Sequence, residues 1–127
     1  MAVSQQIINI NEYQLLTSEQ EFTTAIKAVA ARTEREGHPG VLLYRFFVDG
    51  AAGTASACII YADADAWLAH HEMAYGWEEM PAFQKNVRLS RISFFGPLNE
   101  DMQAWIDKAG IPCDLVRVRS YAAGFER

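Results

Sequence analysis

His70 and His71 stand side by side in a segment that also carries Trp67, Tyr75, Trp77 and Phe83. Histidine is the side chain whose ordinary pKa, about 6.5, lets it take or give a proton near neutral pH. Flat rings around it supply walls suited to an aromatic ligand. The group fits general acid–base chemistry on a ring substrate: a histidine removes a proton while a nearby indole, phenol or amide steadies the anion. The same residues also have a packing explanation. Large rings close gaps between a helix and a sheet, and one histidine can be solvated while the other caps a core contact. Consecutive helix positions point about 100° apart, so the two histidines are expected to face different surroundings.

Arg45 is the third candidate catalytic residue. It interrupts an apolar strand pattern between Leu43 and Phe47. A guanidinium there needs a carboxylate, a bound anion or an open cavity. It can steady an enolate or phenolate, or pair with an acid across a subunit contact. Asn86 or Asn9 can supply a polar pocket group, and Tyr13, Tyr44 and Tyr61 either hydrogen-bond a ligand or reach the sheet edge. No metal is expected: adjacent helix histidines diverge, and His38 lies in a distant loop. No cofactor motif is present either. Gly50 and Gly53 fall in a hairpin turn rather than before a helix, which excludes a phosphate loop. Asp63 and Asp65 read as helix-start residues rather than a carboxylate pair for glycoside hydrolysis.

The elements that must position these residues follow from patterning. Ile7 to Leu16 reads as a strand. Thr17 or Ser18, with Glu21, opens an amphipathic helix carrying Phe22, Ile26, Val29 and Ala30, which Gly37, Pro39 and Gly40 stop. Residues 41–48 form the strongest strand, apolar on both faces, and turn through Asp49–Gly53 into a returning strand, 54–61. Asp63 or Asp65 starts the histidine-bearing helix, and Trp77–Gln84 adds a short one. Residues 87–95 form a further strand. Asn99 caps a helix over 100–108, and a short edge strand follows around Val116.

This order predicts one α+β domain over residues 1–127, a ferredoxin-like antiparallel sheet with helices on one face. Residues 99–127 add a C-terminal helix–strand elaboration. The other sheet face would then expose apolar side chains from 41–48 and 87–95, so a homodimer is expected, with the two sheets pairing. The chain has 127 residues and a net charge of −5, without a concentrated basic patch, which argues against nucleic acid as a partner. No apolar run is long enough to cross a bilayer, so no membrane is expected. Cys58 and Cys113 lack metal-site spacing and read as reduced thiols, which points to the cytoplasm.

Pro39–Tyr44, the turn after Asp49, and Ala66-Trp67-Leu68-Ala69-His70 together resemble the antibiotic biosynthesis monooxygenase-like family. The resemblance covers residues 5–98. It implies a dimeric α/β barrel, with His70 as the helix histidine and Trp67 and Tyr75 in the pocket-facing segment. Some members of the family oxidise polycyclic aromatic or quinol-type substrates with molecular oxygen and no metal or flavin. Others degrade haem, and many have no established activity. The expectation is therefore a cofactor-independent monooxygenase for a small aromatic or quinol-like compound. The alternative is a non-catalytic dimeric domain that binds a small hydrophobic ligand. The expected site comprises His70, His71 and Arg45, with Trp67, Tyr75, Trp77, Phe83 and Asn86 binding substrate.

Overall fold

A computed structural model describes residues 3–127. Its elements are β1 (Ile7–Leu15), α1 (Glu19–Glu36), β2 (Val41–Asp49), β3 (Thr54–Tyr61), α2 (Ala64–Ala74), α3 (Glu79–Gln84), β4 (Val87–Phe95), α4 (Glu100–Lys108) and β5 (Val116–Arg119). Local signals set most of the boundaries. Ser18 and Glu21 form the reciprocal capping box of α1. Asp63 caps α2 and Asn99 caps α4, each accepting from a backbone amide of the first turn.

The strands lie in the order β2-β3-β1-β4-β5. The first four give the ferredoxin-like arrangement, with antiparallel pairs throughout. Two parts of the expected fold class are corrected. β5 runs parallel to β4, so the sheet is mixed. The sheet is also open, with β2 and β5 as free edges, and does not close into a barrel. The parallel pairing has a simple cause: α4 carries the chain back across before β5 begins, whereas antiparallel neighbours can be joined by a short turn.

The core lies between the sheet and the helices. Inward side chains alternate along each strand: Ile7, Asn9 and Tyr13 on β1, Ala55, Ala57, Ile59 and Tyr61 on β3, Ile92 and Phe94 on β4. Phe22, Ile26 and Val29 of α1 and Trp67 of α2 complete the layer. Arg32 of α1 holds α3 in place by an ion pair with Glu79 at 2.7 Å, its guanidinium 4.8 Å from the Trp77 ring. That contact holds the Glu79 carboxyl below its ordinary pKa. Gly40 allows the turn before β2 to touch α2, since a Cβ there would come within 2.5 Å of the Ala66 methyl. No helix among the described residues is long and apolar enough to cross a membrane.

Candidate active site

A polar ladder runs down the inward face of β1. The Trp67 indole Nε1 donates to Asn9 Oδ1 at 3.0 Å, Asn9 Nδ2 donates to Asn11 Oδ1 at 2.8 Å, and Asn11 Nδ2 donates to the Tyr13 hydroxyl at 2.9 Å. Strand residues two apart share a face, so Asn9, Asn11 and Tyr13 project together toward the helices. Asn9 is fully buried and tolerable there because the ladder uses its amide from both ends. The sequence offered a signal for this: asparagines at every second position of a strand that is otherwise aliphatic.

At the end of the ladder lies a cavity of about 80 Å³, bordered by Asn11, Tyr13, Tyr44, Tyr61, His70, His71, Tyr75 and Phe83. Both histidines reach it, contrary to the expectation that they would part. His70 faces the strands, with ring centroids 5.7 Å from Tyr44 and 5.8 Å from Tyr61. His71 turns the other way, stacked at 3.9 Å on Trp67 and 4.9 Å from Trp105 of α4. Both rings border the cavity even though their ring neighbours differ.

Burial sets the protonation of these rings. Desolvation, helped by the neighbouring His38, lowers the His70 pKa to about 4. Desolvation and the adjacent His70 lower His71 to about 3. Both are neutral at pH 7. The tautomer of His71 is determined as well: its Nδ1 lies 2.8 Å from the Trp67 carbonyl, which can only accept, so Nδ1 carries the proton and Nε2 keeps a lone pair. Burial raises the phenols in the same way, Tyr44 to about 12 and Tyr61 well above its ordinary value.

The remaining expected residues are distributed unevenly. Tyr75 and Phe83 line the cavity. Trp67 supports it from behind through His71 and Asn9. Trp77 is buried beside His70, with centroids 6.4 Å apart, under the Arg32 guanidinium. Asn86 is buried elsewhere: its side chain bonds Thr17 and the Ala82 carbonyl, tying the α3–β4 turn to the end of β1. Arg45 is solvent-exposed in β2, while its strand neighbours Tyr44 and Phe46 border the cavity. Alternation along the strand therefore sends the guanidinium to the opposite sheet face. Among the described residues, no three His, Cys, Asp or Glu side chains converge as a metal site.

His71 and Tyr75 also form one wall of an outer groove of about 390 Å³ between α2 and α4, together with Glu72, Trp105 and Lys108. These two side chains therefore separate the groove from the interior cavity. Tyr75 is 49% exposed and ends α2 just before Gly76.

No family model matches the chain, and no curated protein does. Solved structures do match. MupZ from Pseudomonas fluorescens superposes with a TM-score of 0.70 at 18% identity, over 97% of this chain and 95% of that one. SnoaB, a cofactor-independent oxygenase from Streptomyces nogalater, superposes with a TM-score of 0.58 at 14% identity, over 75% of this chain and 95% of its own. A candidate antibiotic biosynthesis monooxygenase from Caulobacter crescentus gives 0.55 at 18% identity, over 76% and 93%. At these identities the likeness is one of architecture. The chain has an antibiotic-biosynthesis-monooxygenase-like fold.

Proposed function

We propose that the protein is a cofactor-independent oxygenase for a small, electron-rich aromatic or quinol-like compound. The observation that carries this reading is the small ring-lined cavity with neutral imidazoles on its wall. The substrate ring lies against Phe83, with Tyr75 as the movable wall. Neutral His70 accepts the hydroxyl proton while electrons pass from the ring to oxygen; the imidazolium so formed balances the charge on the reduced oxygen and then returns the proton to it, so no uncompensated charge persists in the site. For a phenol, the net change is one ring C–H and the O–H plus O₂ becoming a quinone and one water. SnoaB, of similar fold, is described as an oxygenase of this kind, which supports the reading.

Substrate access requires a movement. A cavity of about 80 Å³ is smaller than the roughly 150 Å³ that admits benzene in an engineered apolar cavity. Displacing Tyr75 would join the cavity to the α2–α4 groove. Oxygen uptake tests the proposal: wild type should consume oxygen with at least one member of a panel of phenols and hydroquinones, and His70→Ala should lose at least tenfold. Equal rates would remove His70 from the reaction. The small cavity favours one second reading, a domain that binds a small hydrophobic ligand without turnover, for which binding would occur with no uptake at all.

We also propose a homodimer that pairs across the open sheet face, acting in the cytoplasm. Phe47 is 58% exposed on that face, and Phe95 is exposed there as well. The chain alone presents 7604 Å² to solvent, against roughly 6,800 Å² for a compact monomer of this mass. Cys58 and Cys113 are unpaired thiols, which agrees with a reducing compartment.

A further inference from the structure

Several polar groups bordering the cavity already have partners. The Tyr13 hydroxyl accepts from Asn11, and both ends of the Asn11 amide are used in the ladder. His71 Nδ1 donates to the Trp67 carbonyl. The Tyr44 and Tyr75 side chains are only partly buried, Tyr75 being 49% exposed, so their hydroxyls can meet water. Two atoms stand apart. The Tyr61 hydroxyl and His70 Nδ1 are each buried with no hydrogen-bond partner in the protein. Tyr61 is 0% exposed and His70 4%. Both border the same cavity, with ring centroids 5.8 Å apart. A buried polar atom without a partner forfeits its hydration, and two such atoms on residues that border one cavity point to a group that satisfies both.

We infer that Tyr61 and His70 form a two-point site for the hydroxyl group of a phenol, bound in its neutral form. The Tyr61 hydroxyl donates to the ligand oxygen, and the ligand hydroxyl donates to His70 Nδ1. A hydroxyl meets this requirement because it gives one hydrogen bond and accepts others, whereas an ether or an aromatic hydrocarbon cannot donate. The neutral form follows from the surroundings. The titratable groups bordering the cavity are the two histidines, which burial keeps neutral at pH 7, and Tyr13, Tyr44, Tyr61 and Tyr75, whose phenols are neutral there in any case. Arg45 projects from the other sheet face, and Lys108 belongs to the outer groove. A phenolate would enter with no counter-charge. This inference deepens the oxygenase reading by giving its substrate a recognised group, and Tyr61 becomes a second residue that contacts that substrate.

The test is 4-nitrophenol binding, followed by absorbance near the ionisation midpoint of the free dye. Binding should replace the yellow phenolate band by that of the neutral phenol. The methyl ether 4-nitroanisole should fail to compete. Tyr61→Phe, which removes only a hydroxyl that bonds nothing in the protein, should weaken binding about tenfold, and His70→Gln should weaken it similarly. Binding of the yellow form, equal affinity in Tyr61→Phe, or no binding at millimolar dye would each overturn the inference; the last would leave water as the occupant. The two proposals separate cleanly. Neutral-dye binding without oxygen uptake from any phenol would sink the oxygenase and keep the site. Uptake that is unchanged in Tyr61→Phe would do the reverse.

Discussion

The two faces of the sheet are built from alternate residues of the same strands, yet they differ in kind. The helix-covered face holds the Asn9–Asn11–Tyr13 ladder, the buried rings of Trp67 and Phe94, and the cavity. The open face carries Phe47 and Phe95 among exposed arginines such as Arg45 and Arg88. On the first, the Asn9–Asn11–Tyr13 ladder is bonded throughout, while Tyr61 and His70 keep buried polar atoms without a partner beside the cavity. On the second, water satisfies whatever the protein does not. A polar side chain inside is therefore informative about ligands, while one outside is not, which is why Tyr61 carries more functional weight here than Arg45.

The comparison breaks most sharply at Trp67. Its side chain is fully buried, stacks on His71 and donates to Asn9. Trp67→Ala should cost about 3–5 kcal/mol in urea unfolding. A loss below about 1 kcal/mol would mean that the helix-covered face is far looser than its packing indicates.

Acid titration sharpens the contrast next. An unfolded chain protonates its histidines at about pH 6.5, whereas the fold keeps His70 neutral down to about 4 and His71 down to about 3. Below pH 6.5 the unfolded state therefore binds more protons. Stability is complete above that pH and declines as pH falls toward the folded values, by roughly 1 kcal/mol per pH unit for each histidine. Unfolding measured at pH 7, 6 and 5 should show this slope, and the His70→Gln, His71→Gln double variant should lack that part of it. An identical slope in the variant would show that the rings are hydrated in the native state.

The smallest effects on the fold belong to the open face. Arg45→Ala and Phe47→Glu should each change unfolding free energy by no more than about 0.5 kcal/mol per chain at low concentration. Sedimentation should separate them from the inner residues in another way: wild type is expected as a dimer at micromolar concentration, and Phe47→Glu should shift it to monomer. A wild-type monomer would end the proposal that copies pair across this face. Oxygen uptake should be unaltered in Arg45→Ala, since its side chain leaves the strand on the side away from the cavity.

Much of the frame was legible from local chemistry. Ser18 with Glu21, Asp63, Asn99 and the Asp49–Gly53 turn mark boundaries because capping and turn geometry depend on a few neighbouring residues. Period-two alternation also separates Tyr44 and Phe46 from Arg45 and Phe47. It does not say which set faces the helices, so Arg45 read equally well as a buried charge. Asn86 was ambiguous for a related reason: a buried asparagine can serve a ligand or tie a turn, and only its bonds to Thr17 and Ala82 decide. The parallel β5 could not be read from a short apolar stretch, because its direction depends on where α4 leaves the chain.

The amino-acid order by itself determined the succession of strands and helices and the presence of imidazoles within a ring-rich segment, since both depend on spacing along a few turns of chain. Tertiary structure alone decided that His70 and His71 border one cavity, that Tyr61 and His70 leave polar atoms unspent there, and that the sheet stays open. Those facts depend on which distant groups occupy the same space and exclude water from it, and hydrogen-bond satisfaction and burial acquire values only once that space is enclosed.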